Sequence, residues 1–330
     1  MQKRVAVIGS GSWATALVKL LSNNLQEVNW FMRSEDDCKY VKQNLHNPRY
    51  LSSVQFNENK LKLFSDVEAC IKDADIIVLA VPSAFCHDTI KDLPKELLAN
   101  KIIFSAIKGI IPQYNLIVGE YLNKQFDVPL NQIGVIAGPC HAEEVALEKL
   151  SYLTLACTDV NNAETLAAML RCRYMKVTCI DDIYGTEYSA VLKNVVAIAG
   201  GVCHGLGYGD NFLSVLVSND IQEIERFVKA VHPIDRDIKA SAYLGDLLVT
   251  AYSQFSRNRM FGAMLGKGYS VKMAQLEMNM IAEGYFAVKC VHEINKTYQV
   301  DMPITQAVYN ICYENISPMV EMKLLSDKLS

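Results

Sequence analysis

Residues 3–14 read KRVAVIGSGSWA, and this stretch decides how the rest of the chain is to be read. Lys3 to Ile8 is a short β-branched run that predicts a strand, and Gly9-Ser10-Gly11-Ser12-Trp13-Ala14 follows it without a spacer. A helical pattern from Ala14 to Leu25 opens directly on the glycines. Strand, tight turn and helix in that order are the setting in which G-x-G-x-x-A spacing has a physical meaning. Gly9 permits the turn, Gly11 lets backbone approach a pyrophosphate, and Ala14 keeps the helix close to the strand. The exposed amides and the dipole of that helix attract phosphate charge. A dinucleotide-binding domain is therefore predicted at the amino terminus.

The second strand runs from Val28 to Met32, and a cofactor lacking a 2′-phosphate usually meets Asp or Glu just beyond such a strand. Arg33 stands there instead. A guanidinium suits a 2′-phosphate or an adenine face, and it equally suits open solvent, so NADP and NAD both stay open. Further strands are predicted at Leu61–Phe64, Asp75–Val81, Ile102–Ile107, Gln132–Ala137, Leu153–Cys157 and Tyr174–Cys179. After Asp75 the run IIVLAV is apolar throughout, as a parallel strand covered on both faces requires. Ser65-Asp66-Val67-Glu68 is a capping-box pattern for a helix to about Lys72, and Asn161 with Glu164 marks another helix start. Lys108-Gly109 and Gly138-Pro139 fall at carboxyl ends of strands, where open parallel sheets bind ligands, so they are expected near the Gly9 turn. The first 182 residues read as an α/β Rossmann domain with a doubly wound sheet.

After Asp181-Asp182 the pattern shifts to helical periods without convincing strands, predicting an all-α domain over 183–330. Within it, Ala190 to Val202 is apolar or small throughout except for Lys193 and Asn194. Such a lysine either snorkels out of the helix end or stays desolvated, with its pKa drawn from about 10.4 towards neutrality. In the second case it is a candidate general acid and base. Asp246 lies among apolar neighbours in LGDLLVT, is costly there without a cation, and has Lys193 as the obvious partner. Ser256-Arg257-Asn258 offers a hydroxyl, a guanidinium fork and an amide, a set suited to a phosphate monoester and also to an ordinary polar helix end.

Composition sets the outer bounds. The chain has 330 residues, 51% of them hydrophobic and 21% charged, which describes an ordinary globular protein of about two domains. A net charge of −4 gives no electrostatic reason to expect nucleic acid or an anionic membrane. Ten cysteines are scattered without a CxxC pair, which fits a reducing cytoplasm and no zinc site. The six histidines form no HExxH, and no G-x-S-x-G elbow occurs. No metal site is expected. The longest uncharged run, residues 194–209, holds five glycines and is too short to span a bilayer, and the amino terminus leaves no room for a signal peptide. Apolar helices in the second half point to a homodimer.

Over essentially its whole length the chain resembles the bacterial-type NAD(P)-dependent glycerol-3-phosphate dehydrogenases. The motifs that carry the resemblance are GSGSWATAL near the start, VPS at 81–83, KG at 108–109, AGPCHAEEVA at 137–146, AVLKNVVAIAGG at 190–201, GDN at 209–211, LGDLLVT at 244–250, SRNRMFG at 256–262 and AEG at 282–284. The resemblance implies a Rossmann domain and a helical substrate domain. It also implies interconversion of sn-glycerol 3-phosphate and dihydroxyacetone phosphate, with the product feeding glycerophospholipid synthesis. Lys193 falls on the catalytic lysine, with Asp246 and Lys108 as its companions. Ser12, Trp13, Arg33, Lys108, Ala142, Arg257, Ile281 and Glu283 fall on cofactor positions. Lys108, Gly138, Cys140, Lys193, Asp246, Ser256, Arg257 and Asn258 fall on substrate positions. Cys140 departs from the hydroxyl common there and is a poorer donor. Two rival readings share much of this pattern: another two-domain dehydrogenase acting on hydroxy acids or 6-phosphogluconate, and an NADP(H)-binding sensor without turnover. The sensor has no use for Lys108, Lys193 and Asp246 together.

Overall fold

The computed structural model describes residues 3–253, 256–278 and 282–330; Ile281 lies outside the described residues. The chain separates into two compact units, Met1–Ile107 with Val118–Ile183, and Lys108–Ile117 with Tyr184–Ser330. In chain order the first unit opens with β1 (Val5–Ile8), α1 (Ser12–Asn24), β2 (Val28–Phe31), α2 (Glu35–Asn44), β3 (Leu61–Phe64), α3 (Val67–Ile71), β4 (Ile76–Leu79), α4 (Ser83–Ile90), α5 (Lys95–Leu98) and β5 (Ile102–Ser105). β6 (Ile110–Ile111) and β7 (Leu116–Ile117) then form an antiparallel hairpin that belongs to the second unit. The first unit resumes with α6 (Val118–Phe126), β8 (Ile133–Ala137), α7 (Ala142–Ala146), β9 (Ser151–Cys157), α8 (Val160–Leu170) and β10 (Met175–Ile180).

Eight strands make one sheet in the order β10-β9-β8-β5-β4-β1-β2-β3. β1, β4 and β5 are buried at every residue, which explains why Ser105 is their one polar residue: helices cover both faces. The chain leaves β1 in one direction for β2 and β3 and in the other for β4 and β5, so the switch point lies at the carboxyl ends of β1 and β4. Gly138, at the end of β8, lies on the same edge as Gly9 but three strands away, roughly 14 Å at ordinary strand spacing. The sheet departs from a wholly parallel one because β9 runs antiparallel to β8. β10 then pairs parallel with β9.

Local chemistry explains several boundaries. α3 starts at the predicted pattern but is capped by Asp66, not Ser65: its carboxylate accepts from the amide of Ala69 at 2.7 Å, one residue on from the box that Ser65 and Glu68 would form. At α8 the cap is Asp159 rather than Asn161: its carboxylate accepts from the amide of Asn161 at 3.1 Å, and Glu164 pairs with Arg171 instead. β5 ends two residues before the predicted Ile107, because the hydroxyl of Ser105 takes the amide of Ile107 at 3.2 Å and turns the chain.

The second unit adds α9 (Ile183–Gly205), α10 (Asp210–Val231), a π-helical turn (Ser241–Gly245), α11 (Asp246–Tyr252), α12 (Arg257–Gly266), α13 (Val271–Glu277), α14 (Glu283–Tyr298), α15 (Pro303–Tyr313) and α16 (Pro318–Ser326). The described residues of 183–330 hold no strand, as expected; the β6–β7 hairpin joins this unit from within the first 182 residues, and two-residue strands carry too little pattern to be seen in sequence. α9 and α12 meet backbone to backbone. A Cβ added at Gly201 or Gly205 would fall within 3.0 Å of the carbonyl oxygens of Arg259 and Ala263, and one at Gly262 or Gly266 would meet those of Ile198 and Val202. Two pairs of glycines four residues apart thus set how deeply α12 seats on α9. Glu223 of α10 caps α15 by accepting from the amides of Ile304 and Thr305 at 2.8 and 2.9 Å. Among the described residues no helix is long and apolar enough to cross a membrane.

Candidate active site

In the first unit the Gly9 turn has its carbonyls tied back into the protein. Trp30 Nε1 donates to Gly9 O at 2.7 Å, Asn47 Nδ2 to Ser10 O at 3.0 Å, and the hydroxyl of Thr15 to Gly11 O at 2.9 Å. Asn47 also donates to that Thr15 hydroxyl, which joins the turn to α1. Gly9 adopts φ +136°, and a Cβ there would collide with Ala80 O at the end of β4, so glycine is required twice over. A Cβ at Gly11 would meet no atom within 4 Å. α1 starts at Ser12 with no side chain capping it and no acidic residue in its first turn. Trp13 adds an Nε1–H that is buried without a hydrogen-bond partner. Open space at Gly11, uncapped first-turn amides and a spare buried donor fit an anionic group rich in acceptors, such as the pyrophosphate of a dinucleotide. Trp30, Asn47 and Thr15 carry no motif, so sequence reading passed them over.

The other residues singled out in this unit take their places around the same edge. Arg33 is exposed just beyond β2. Gly138 needs its glycine because φ is +114° and a Cβ would approach Tyr152 O to 3.0 Å. Cys140 is partly buried, and Ala142 is the first residue of α7 and buried.

In the second unit Lys108, Lys193 and Asp246 converge. Lys193 is 4% exposed and Asp246 1%, and the ammonium donates to Asp246 Oδ1. Lys108 Nζ reaches the two oxygens of the same carboxylate at 3.4 and 3.3 Å, with its side chain 20% exposed. Asp246 owes its place to the π-helical turn that ends at Gly245, a wide turn of the kind found where a helix must redirect a side chain. Burial pulls the Lys193 amine down to about 7; the charge of Asp246 opposes that pull and the charge of Lys108 adds to it. Burial alone would raise Asp246, but Lys108 and Lys193 outweigh it and hold the carboxyl below its usual range. An amine that exchanges protons near neutrality, with one carboxylate to orient it and a second cation beside it, can donate a proton to an oxygen that is gaining charge.

Ser256, Arg257 and Asn258 are held differently from one another. The hydroxyl of Ser256 caps α12 by accepting from the amide of Arg259 at 3.3 Å. Arg257 opens α12, whose first turn has no acidic residue. Asn258 is buried, donates to Asn194 Oδ1 at 2.9 Å and accepts from the amide of Gly284 at 2.9 Å. Asn194 in turn donates to Lys108 O at 2.8 Å. Glu283 begins α14, and Gly284 is pressed so closely on α9 that a Cβ would fall within 3.0 Å of Asn194 O. Asn194 is the residue of this unit that sequence reading missed; its one signal was being the second polar residue in an apolar run.

A parallel sheet with a glycine turn ready for phosphate, and a helical unit with two lysines on one buried carboxylate, define the class of two-unit dinucleotide-dependent dehydrogenases. The comparisons make the class specific. The family model for the N-terminus of NAD-dependent glycerol-3-phosphate dehydrogenase matches residues 4–163, and that for its C-terminus matches residues 182–323. A glycerol-3-phosphate dehydrogenase (NAD(P)+) of Exiguobacterium sp. is 34% identical over 322 residues, 97% of this chain and 94% of the relative. One from Listeria monocytogenes is 34% identical over 316 residues, 95% of this chain and 93% of the relative. The crystal structure of glycerol-3-phosphate dehydrogenase from Coxiella burnetii superposes with a TM-score of 0.91 at 30% identity, covering 98% of each chain. The chain belongs to the NAD-dependent glycerol-3-phosphate dehydrogenase family.

Proposed function

We propose that this protein interconverts sn-glycerol 3-phosphate and dihydroxyacetone phosphate with NADP(H) or NAD(H), and that Lys193 is its proton donor and acceptor. The observation that carries the reading is the buried Lys193–Asp246–Lys108 cluster, which has the chemistry a carbonyl reduction needs. A bound dihydronicotinamide supplies the hydride that goes to the carbonyl carbon. Lys193, as ammonium, gives its proton to the carbonyl oxygen as that oxygen becomes an alkoxide, and takes it back from the hydroxyl in the oxidation. Lys108 adds positive charge beside the same oxygen, and Asp246 holds the two ammonium groups against their mutual repulsion. Arg257, at the start of α12, adds a guanidinium fork to the positive end of a helix dipole and takes the phosphate.

Ser12 and Trp13 hold the pyrophosphate with Gly9 and Gly11, Arg33 faces the adenosine end, and Ala142 adds to the cofactor contacts. Ser256 joins the substrate contacts. The functional division is 1–182 for cofactor and 183–330 for substrate, with Lys108 serving the second. A cytoplasmic homodimer supplying glycerol 3-phosphate to glycerophospholipid synthesis completes the reading: among the described residues no disulfide joins the cysteines, and Leu276, Met319 and Leu324 leave apolar surface exposed. Mixing purified protein with NADPH and dihydroxyacetone phosphate should give absorbance decay, and hydroxy acids or 6-phosphogluconate with NADP should give none. Turnover of those acids in place of the phosphate ester would reverse the assignment.

A further inference from the structure

Three hydrogen bonds run through the interior of the helical unit from the start of α14 to the backbone of Lys108. Gly284 N donates to Asn258 Oδ1 at 2.9 Å, Asn258 Nδ2 to Asn194 Oδ1 at 2.9 Å, and Asn194 Nδ2 to Lys108 O at 2.8 Å. Their direction is forced. The amide of Gly284 can only donate, so Asn258 must present its oxygen there and its NH₂ to Asn194. Asn194 must then present its oxygen to Asn258, leaving its NH₂ for Lys108 O and, at 3.3 Å, for Ala190 O. Both asparagines are 7% exposed. Buried amides satisfied in this way are held firmly, because breaking one link strands its partner without water.

The far end of this chain is a residue of the cluster, since Lys108 extends its ammonium to Asp246. Asn194 is also the next residue after Lys193 on α9. One helical turn therefore carries the proton donor and grips the backbone of the second lysine. We propose that Asn194 and Asn258 are positioning residues whose amide chain fixes where Lys108 stands relative to Lys193 and Asp246. Asn258 spends one of its two N–H groups on Asn194, so this role stands beside the phosphate contact its motif predicts. The proposal rests on the catalytic reading of that cluster. Its importance follows from the sensitivity of such geometry, in which a misplacement of about 1 Å costs on the order of 10²-fold in rate.

A double-mutant cycle on the full chain tests it, with kcat and both KM values measured for NADPH and dihydroxyacetone phosphate. Asn194→Ala should lower kcat roughly 10- to 100-fold with KM for NADPH within about twofold of the parent. Combined with Lys108→Ala, it should cost little more than Lys108→Ala alone, because a residue acting through Lys108 has nothing left to position. Penalties that multiply would overturn the proposal while leaving the role of Lys108 intact. A fully active Lys108→Ala protein would remove the catalytic reading of Lys108, and the proposal with it. Should Asn194→Ala not fold, Asn258→Asp serves in the same cycle. It keeps the acceptor for Gly284 N and loses the donor to Asn194, so it should lower kcat in the parent and cost little further in the Lys108→Ala background. An unchanged kcat, or a penalty that multiplies with that of Lys108→Ala, would overturn the positioning role of Asn258.

Discussion

Replacing Asp246 by asparagine keeps the shape of the side chain and removes its charge, leaving the buried amine of Lys193 and the partly buried one of Lys108 without that counterion. Asp246 is 1% exposed and Lys193 4%, so solvent screens their attraction poorly. At an effective dielectric constant of about 20, opposite charges 4 Å apart attract by about 4 kcal/mol, which corresponds to roughly three pK units. Lys193 sits at about 7 with that attraction present. Without it the amine should be almost wholly neutral at neutral pH, and reduction of dihydroxyacetone phosphate should slow by roughly 10²- to 10³-fold for lack of a proton donor. Stability should fall too, since removing one partner of a buried pair costs about 3–5 kcal/mol, less whatever Lys193 recovers by losing its proton. The sign follows from linkage: a folded-state amine pKa below the unfolded value makes the cost full below the folded pKa and absent above the unfolded one. The ion pair with Asp246 stabilises the parent only while Lys193 is protonated, so the melting-temperature deficit of the variant should be largest near about pH 6 and shrink towards about pH 9. Rates and melts across that range check both limbs. An Asp246→Asn protein with the parent's kcat and a deficit independent of pH would refute the electrostatic account.

Three further outcomes are expected. Arg257→Ala should raise KM for dihydroxyacetone phosphate by roughly 10- to 100-fold, the size of a lost charge-assisted contact, and an unchanged KM would remove its phosphate role. Arg33→Ala should raise KM for NADPH more than for NADH, and an equal change for both would mean that the exposed guanidinium reads no 2′-phosphate. Gly284→Ala should destabilise by about 1–3 kcal/mol, because its Cβ would press on Asn194 O; a melting temperature equal to the parent's would contradict the close approach of α14 to α9.

The parts of this protein legible in its sequence were those where one physical demand acts on consecutive residues. The Gly9 turn could be read because strand, glycines and helix follow without interruption. β4 could be read because burial on both faces demands an unbroken apolar run. Lys193 could be read because a charge inside such a run needs a reason. What escaped depends on residues distant in the chain. The carbonyls of the Gly9 turn are held by Trp30, Thr15 and Asn47, and no spacing announces that. The reversal of β9 leaves its own pattern untouched, since an interior strand is apolar in either direction. The hairpin of β6 and β7 is too short for alternation to register. Asn258 could be read in sequence only as a polar residue beside Arg257; its bonds to Asn194 and Gly284 join residues far apart in the chain, and no spacing announces them.

The account turns on the amine of Lys193 as the group that moves the proton. The most direct measurement is the decay of NADPH absorbance on adding dihydroxyacetone phosphate to the Lys193→Ala protein beside its parent. The expected result is a kcat lower by at least about 10²-fold with KM for NADPH within about twofold. A Lys193→Ala protein that turns over at the parent's rate would contradict it.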